Sequence, residues 1–272
     1  MPLYQAVVLA VIQGLTEFLP ISSTAHLALF PWFAGWADPG LTFDVALHAG
    51  TLVAVLLYFW TSWLEMLGAA AGLGPKGDPE TEMNRRLFWY LVIGTIPGAV
   101  FGFLFESKAE EEWRQPVVIG AALILVALFM WAGERAHRRE HSLDEISLAD
   151  SVWIGIAQAL AVIPGVSRSG ITMSAGLFRG LDRETDASFS FLLSTPLIAG
   201  AVLKKGMELR HGGLAPDMRL PFAAGILVSG LVGYAVIAWL VRYLSRSTFK
   251  PFVYYRLALG VVVLGWFLMR GR

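Results

Sequence analysis

Two short stretches of the chain place ionisable side chains and hydroxyl groups inside otherwise apolar sequence. The first stretch, residues 13–26, contains Glu17 and His26, and the second, residues 164–172, contains Arg168. The amide and hydroxyl side chains around them are Gln13, Ser22, Ser23, Thr24, Ser167, Ser169 and Thr172. Ionisable groups are costly to place in apolar surroundings, so this combination indicates a functional site.

The residue types and their spacing predict phosphoryl-group chemistry. Gln13 and Glu17 are four residues apart and share one face of a helix, where their oxygens can bind a hard divalent cation such as Mg²⁺ or Ca²⁺. Ser23 can act as a nucleophile, and His26, three residues later, can accept its proton or protonate the leaving phosphate. Arg168 offers a planar fork of donors to phosphate oxygens.

Each stretch also predicts the start of a helix. Pro20 and the Pro164-Gly165 pair each interrupt a helix. The candidate N-caps after these breaks are Ser22 or Ser23 in the first stretch and Ser167 or Ser169 in the second. Because helix N-termini attract anions, each stretch is expected to present N–H groups to phosphate.

The composition predicts an all-α polytopic membrane protein. Of 272 residues, 56% are hydrophobic and only 15% are charged, and the mean hydropathy is +0.61; soluble domains have about 25% charged residues. The net charge of zero provides no long-range attraction for nucleic acid. The absence of cysteine excludes disulfides and thiolate metal sites. Residues 1–11 contain no basic residue, so no secretory signal peptide is expected there.

Six segments have the length and apolarity expected of membrane-spanning helices, which need about 20 residues. They are residues 45–60, 87–105, 116–131, 189–203, 220–241 and 252–269. Residues 3–34 and 152–178 instead contain apolar arms of about 8–12 residues, too short to span, and predict two re-entrant helical hairpins. The polar segments between these elements, predicted as loops, are residues 74–86, 106–114, 134–150 and 204–219.

The order hairpin, span, span, span occurs twice within a single membrane domain, residues 1–272. Three crossings are an odd number, so the second half starts from the opposite face. This predicts an inverted-topology repeat of residues 1–137 and 148–272, with the site at the repeat interface near the midplane.

Lysine and arginine predict the orientation. One face has eleven of them, in residues 61–86, 134–150, 179–188 and 242–252, and the other has eight, in residues 38–44, 106–115, 204–219 and 270–272. The richer face is expected to be cytoplasmic, which places both termini outside the cytoplasm.

Several polar or small residues have simpler interpretations. Serine often bonds to backbone in membrane helices, and a single histidine is often a packing residue. Five ionisable residues are expected in solvated segments near the interfaces: Asp44, His48, Asp182, Arg183 and Asp186. Gly94, Gly98 and Gly102 are expected to allow close helix packing.

Residues 13–26 (Gln-Gly-Leu-Thr-Glu-Phe-Leu-Pro-Ile-Ser-Ser-Thr-Ala-His) and residues 164–172 (Pro-Gly-Val-Ser-Arg-Ser-Gly-Ile-Thr) resemble the two signature motifs of the undecaprenyl-diphosphate phosphatases, the bacitracin-resistance proteins of the BacA/UppP type. The resemblance extends over nearly the whole chain. It implies hydrolysis of the C55 polyprenyl diphosphate carrier lipid of peptidoglycan synthesis to the monophosphate and inorganic phosphate. It further implies a bacterial inner-membrane location, with the site opening to the periplasmic face.

The resemblance also implies roles for the polar residues. Glu17 would hold the divalent cation with Gln13, which stands where many relatives have a second glutamate. Ser23 would be the nucleophile and His26 would transfer protons. Arg168 would bind the diphosphate, with support from Ser22, Thr24, Ser167, Ser169 and Thr172. The expected partners are the lipid substrate, the bilayer and, as one option for the oligomeric state, a second copy in a homodimer; nucleic acid is not expected.

A transporter or flippase of polyprenyl phosphate is the alternative function. Inverted repeats with broken helices are typical of transporters, and the same anion site would bind a lipid phosphate. A carrier needs no nucleophile, so Glu17, Ser23 and His26 are the residues that favour an enzyme.

Overall fold

The computed structural model describes residues 1–75, 77–137 and 141–270. In this part of the chain the backbone forms eleven α-helices, joined by turns and three short 3-10 helices. The helices are α1 Leu3–Phe18, α2 Ser23–Ala34, α3 Leu41–Tyr58, α4 Trp60–Ala70, α5 Pro79–Glu111, α6 Pro116–Ala136, α7 Leu148–Ala159, α8 Arg168–Arg179, α9 Arg183–Gly212, α10 Arg219–Leu244 and α11 Lys250–Arg270. The predicted all-α class is therefore confirmed.

Six of the described helices are long and apolar enough to cross a membrane, which confirms the six predicted spans. They are α3, α5, α6, α9, α10 and α11. Their length and composition indicate a polytopic membrane protein.

The long helices extend further than hydropathy predicted. Residues 106–111 and 204–212, predicted as loops, continue α5 and α9, and residues 60–70 form α4. Local caps set where the two long helices begin: Asp78 accepts a hydrogen bond from the Thr81 N–H at 2.9 Å, and Asp182 accepts one from the Thr185 N–H at 2.9 Å. The loop predictions were wrong there because helix propensity does not end where hydrophobicity ends.

Four of the five shorter helices, α1, α2, α7 and α8, form two pairs, each interrupted at the predicted proline. Helix α1 has 16 residues, longer than its predicted arm, because it continues through Gln13 and Glu17 until Pro20 stops it. Ser22 and Ser167 precede α2 and α8 with φ angles of 78° and 68°. They are the non-glycine residues with positive φ in the described chain.

These two serines are the N-caps. The Ser22 hydroxyl accepts a hydrogen bond from the Ala25 N–H at 3.3 Å, and the Ser167 hydroxyl accepts one from the Gly170 N–H at 3.1 Å. Positive φ in a residue with a side chain costs about 1–3 kcal/mol and concentrates at functional sites. Both breaks therefore store the same backbone strain.

The helices pack in a reciprocal pattern. Helix α1 packs against α10 and α7 against α5, while α3 packs against α10 and α9 against α5. Glycines allow the closest approaches: a Cβ on Gly14 would lie 2.9 Å from Ser229 O of α10, and one on Gly155 would lie 2.3 Å from Gly94 O of α5. The short helices of each half are thus held by a long helix of the other half.

Several ionisable residues expected in solvated segments are buried instead. Asp44 is paired with Arg114 at 2.9 Å, and Asp186 is 1% exposed. Arg183 donates from Nε to Glu134 at 2.9 Å, whereas Asp182 caps α9. The solvated interpretation was wrong for Asp44 and Asp186, because helix packing encloses them.

Of the residues counted for orientation, Lys76, Arg138, Arg139 and Arg272 lie outside the described residues.

Two glycines of α5 offer a test of the packing interpretation. A Cβ on Gly94 would lie 2.6 Å from the Ser151 hydroxyl and 3.0 Å from Ser151 O, whereas one on Gly102 meets nothing within 4 Å. We expect Gly94→Ala to destabilise the protein by about 1–3 kcal/mol through overpacking. Gly102→Ala, the matched control, should be neutral or stabilising by up to about 1 kcal/mol, because alanine favours helix. Thermal unfolding midpoints in detergent would show the difference, and equal midpoints would exclude the α5–α7 contact.

Candidate functional site

The carboxylate of Glu17 lies at the centre of a hydrogen-bonded group at the first helix break. Its Oε2 accepts hydrogen bonds from Gln13 Nε2 at 3.0 Å and from the Ser23 hydroxyl at 2.6 Å, and it lies 3.3 Å from His48 Nε2. Its Oε1 accepts from Arg168 Nη2 at 2.7 Å. Only 4% of the Glu17 side chain is exposed, so these partners replace water as its solvent.

The Ser23 hydroxyl points at a base, but the base is Glu17. Ser23 begins α2 directly after the strained Ser22, which turns the chain back towards the last turn of α1. A hydroxyl that donates to a carboxylate at 2.6 Å is oriented to lose its proton to that carboxylate.

His26 makes different contacts from those its spacing predicted. Its Nδ1 lies 2.7 Å from Ser22 O, and its Nε2 lies 2.7 Å from the hydroxyl of Tyr255 in α11. The His26 and Tyr255 rings are stacked, with centroids 5.7 Å apart. The Ser23 hydroxyl donates to Glu17, so the structure gives the serine proton an acceptor other than His26. One turn of helix places His26 on a neighbouring face of α2.

His48 belongs to the site although its sequence position pointed to an interface. Its Nδ1 lies 2.7 Å from Asp44 O, one turn earlier in α3, and its Nε2 faces Glu17. Both neighbours are acceptors, so the ring satisfies both contacts when each nitrogen carries a proton. The available signal was the i, i+4 pair Asp44 and His48, which repeats the spacing of Gln13 and Glu17.

Arg168 provides the cation that joins the two polar stretches. It is the first residue of α8, and its ion pair with Glu17 links α8 to α1. Its Nη1 is buried and has no hydrogen-bond partner among the described residues. A buried guanidinium nitrogen with an unused donor is suited to an anionic ligand.

The other predicted phosphate-binding residues divide by their surroundings. Ser22 and Ser167 cap their helices, and Thr24 is exposed, with its hydroxyl 3.1 Å from that of Ser22. Ser169 donates to Leu19 O at 3.1 Å, which ties α8 to the first break. Thr172 is fully buried and donates to Arg168 O at 2.7 Å. Thr24 and Arg168 are therefore the members best placed to meet a ligand directly.

A cavity of about 230 Å³ lies beside this group. Thr24 and His48 line it, together with three cationic side chains, two carboxylates and apolar side chains of α2, α3, α5 and α9; the charged residues are Arg114, Lys204, Lys205, Asp44 and Glu208. Arg114 pairs with Asp44 and Lys205 with Glu208, so the cations outnumber the carboxylates by one. Mostly apolar walls with a small excess of positive charge suit an amphiphilic anion.

Comparison with known proteins identifies the family. The family model of the bacitracin resistance protein BacA matches residues 6–262, which include both polar stretches. The chain belongs to this family.

Individual relatives agree along their whole lengths. The chain is 49% identical to an undecaprenyl-diphosphatase of Moorella thermoacetica over 270 residues, covering 99% of this chain and 100% of the relative. It is 49% identical to one of Pelotomaculum thermopropionicum, covering 97% and 96%, and 46% identical to one of Alcanivorax borkumensis, covering 97% and 98%. Family membership and the six apolar helices make this BacA relative a multi-pass membrane protein.

Two side chains at the first break, Gln13 and Glu17, carry oxygens of the kind that the expected divalent cation prefers. Gln13 Oε1 is buried without a hydrogen-bond partner among the described residues, beside the carboxylate of Glu17. The described residues contain no group of three or more His, Cys, Asp or Glu side chains able to hold a metal. Gln13 Oε1 and Glu17 would suit a cation that completes its coordination with substrate phosphate, as magnesium usually does, and that displaces one of the donors on the Glu17 carboxylate. They do not form an all-protein cage.

Removal of the central carboxylate tests the site's electrostatics. We expect Glu17→Ala to lower the free energy of unfolding by about 3–5 kcal/mol, because Arg168 loses its partner in a buried setting. The exposed Glu65 of α4 offers a control, and Glu65→Ala should change stability by less than about 0.5 kcal/mol. Denaturation in detergent measures both; equal stabilities would mean that Glu17 does not compensate the buried charge.

Proposed function

We propose that this protein is an undecaprenyl-diphosphatase that hydrolyses undecaprenyl diphosphate to undecaprenyl phosphate and inorganic phosphate. The observation that supports this most directly is the Ser23 hydroxyl, 2.6 Å from the Glu17 carboxylate that also pairs with Arg168. A nucleophile, a base and a cation with an unused donor are thereby grouped beside a cavity suited to an amphiphilic anion. The relatives' names indicate the same reaction, and the family name implies a contribution to bacitracin resistance.

The chemistry follows from the contacts. Ser23 Oγ attacks the terminal phosphorus while its proton passes to Glu17 Oε2, and the bond from that phosphorus to the bridging oxygen breaks. Undecaprenyl phosphate leaves with the bonding electrons. Water then attacks the phosphoserine and the bond from phosphorus to Ser23 Oγ breaks. Oγ takes back the proton held by Glu17, and the water supplies the new oxygen of inorganic phosphate, whose remaining proton leaves with it or passes to solvent. Arg168 stabilises the charge on the phosphoryl oxygens in both steps.

The histidines act beside this pair. His48 donates to Glu17 and holds the carboxylate in place against Ser23. His26, fixed between Ser22 O and Tyr255, supports the turn that presents Ser23. Its transfer of protons stays a prediction.

A divalent cation, Mg²⁺ or Ca²⁺, is proposed to bind at Glu17 and Gln13. When bound it would neutralise phosphate charge, and the unpartnered Gln13 Oε1 supports its position. Glu17 and Gln13 belong to adjacent turns of α1, so the helix itself sets the spacing of the two ligands.

The pairs α1–α2 and α7–α8 are proposed to be re-entrant hairpins of an inverted repeat, residues 1–137 and 148–272. The support is the equivalent strain at Ser22 and Ser167 and the reciprocal packing of α1 on α10 and of α7 on α5. Helix pairs of this kind place a site near the midplane. The lysine and arginine distribution favours opening to the periplasmic face of the bacterial inner membrane. A homodimer stays a prediction.

The decisive experiment measures phosphate release from undecaprenyl diphosphate by the purified protein in detergent, with added Mg²⁺ or Ca²⁺. We expect Arg168→Ala to lower turnover by about 10²–10³, the usual effect of removing one charge-stabilising donor. Ser23→Ala should abolish turnover if serine is the nucleophile, and retained activity would shift that role to His26 or to a metal-bound water. The exposed Arg246 and Ser245 at the end of α10 provide the controls Arg246→Ala and Ser245→Ala, which should behave as wild type.

The same experiment separates the alternative function. If no phosphate is released but polyprenyl phosphate moves across vesicle membranes, the transporter hypothesis is supported and the phosphatase hypothesis is refuted. If Arg168→Ala turns over at a rate close to that of wild type, the phosphate-binding role assigned to Arg168 is wrong.

The cation proposal has its own test in Gln13→Glu. A second carboxylate one turn from Glu17 should raise affinity for a divalent cation, because each added ligand charge strengthens binding of hard cations. We expect half-maximal activity at a lower Mg²⁺ concentration than in wild type. Gln5→Glu, near the start of the same helix, is the control; an unshifted titration for Gln13→Glu would refute the ligand assignment.

A further inference from the structure

Arg256 of α11 is the largest side chain in the described structure that is completely buried. It is the seventh of the 21 residues of the membrane-spanning helix α11, about two turns from its start, and lies among the apolar residues that predicted that span. A charged side chain in such a position is expensive and needs a specific function.

Within the described part of the chain, the guanidinium of Arg256 donates only to backbone carbonyls. At the first break, Nη1 donates to Pro20 O at 3.3 Å. At the second break, Nη2 donates to Gly165 O at 2.8 Å and to Val166 O at 3.0 Å. Nε and Nη2 also contact Leu123 O and Ala122 O of α6, at 3.3 and 3.4 Å. No carboxylate pairs with it among the described residues.

These acceptors explain the buried charge. A helix break releases carbonyls from the i, i+4 pattern, and a buried carbonyl needs a donor. Arginine carries five N–H groups in a rigid fork, enough to serve both breaks at once, whereas lysine carries three on one atom.

Three of the five carbonyls that Arg256 contacts lie one or two residues before the N-caps. Pro20 precedes Ser22 by two residues, and Val166 directly precedes Ser167. Ser22 orients Ser23 at the start of α2, and Ser167 orients Arg168 at the start of α8. The guanidinium thus holds the two backbone segments from which the nucleophile and the phosphate-binding cation project.

We propose that Arg256 is a positioning residue for the phosphatase reaction, which fixes the separation of the two helix breaks and hence of Ser23 from Arg168. This inference rests on the proposed function. Arg256 acts through the backbone of both breaks, because its contacts there are with backbone carbonyls.

The neighbouring residue gives α11 a second contact with the site. The Tyr255 hydroxyl lies 2.7 Å from His26 Nε2. One turn of α11 therefore reaches both the α2 side chain and the two breaks, although neither sequence motif includes any of its residues.

The first arm of the test compares Arg256→Lys with Arg246→Lys, a matched change at an exposed arginine. We expect Arg256→Lys to remain folded, with kcat about a hundredfold lower and KM for the lipid little changed, because small displacements of reacting groups cost about that much in rate. Arg246→Lys should match wild type. Wild-type kcat in Arg256→Lys would overturn the inference.

The second arm measures the separation directly. The chain has no cysteine, so spin labels on Cys placed at Phe30 of α2 and Phe178 of α8, 37% and 39% exposed, report the distance between the two helices. Arg256→Lys should broaden this distance distribution, whereas Arg246→Lys should not. An unchanged distribution would overturn positioning through the breaks, even with kcat reduced.

The two arms separate this inference from the proposed function. If the wild-type protein releases no phosphate, the proposed phosphatase function is refuted. The distance measurement would still decide whether Arg256 holds the two breaks at a fixed separation. If Arg256→Lys does not fold, Arg256→Gln, which keeps two N–H donors without the charge, takes its place with the same expected results.

Discussion

The ion pair between Glu17 and Arg168 is the interaction on which the rest of the site depends. Each charge would be costly to bury alone, and each is made tolerable by the other. The two residues are 151 positions apart and lie on α1 and α8, so their contact requires both helix breaks to meet. Seryl, amide and imidazole donors then complete the solvation of Glu17 Oε2. The position of Ser23 is therefore a consequence of the way a buried carboxylate is satisfied.

Local sequence was sufficient to predict the breaks and the long helices. Proline interrupts a helix and serine caps one, so Pro20, Pro164 and the serines after them were enough to predict where one helix ends and the next begins. Apolar length likewise predicted the six spans. The ends of α5 and α9 were missed because charged residues such as Lys108 and Lys205 are good helix formers. Hydropathy reports whether a side chain prefers lipid or water, and not whether its backbone is helical.

The partners of the predicted residues required tertiary structure. Gln13, Glu17 and Ser23 are close in sequence, and their contacts could be anticipated. His48 joins them because α3 packs beside α1, and Tyr255 meets His26 because α11 lies across the first break. Arg256 did offer a sequence signal, since an arginine within an apolar span is as costly as Arg168. What the sequence does not contain is the identity of its acceptors, which are carbonyls from three distant segments.

The length of α5 and α9 has a consequence for the released product. Helices of 33 and 30 residues are about 50 and 45 Å long, whereas the hydrocarbon core is about 30 Å thick. Each must tilt or project beyond the lipid tails. Ala109 near the end of α5 and Glu208 near the end of α9 both line the cavity beside the site, so the projecting ends form a rim around it. Where these ends are the parts that project, the cavity mouth lies above the acyl chains, and a small hydrophilic anion leaving there enters bulk water while a prenyl tail stays in the bilayer.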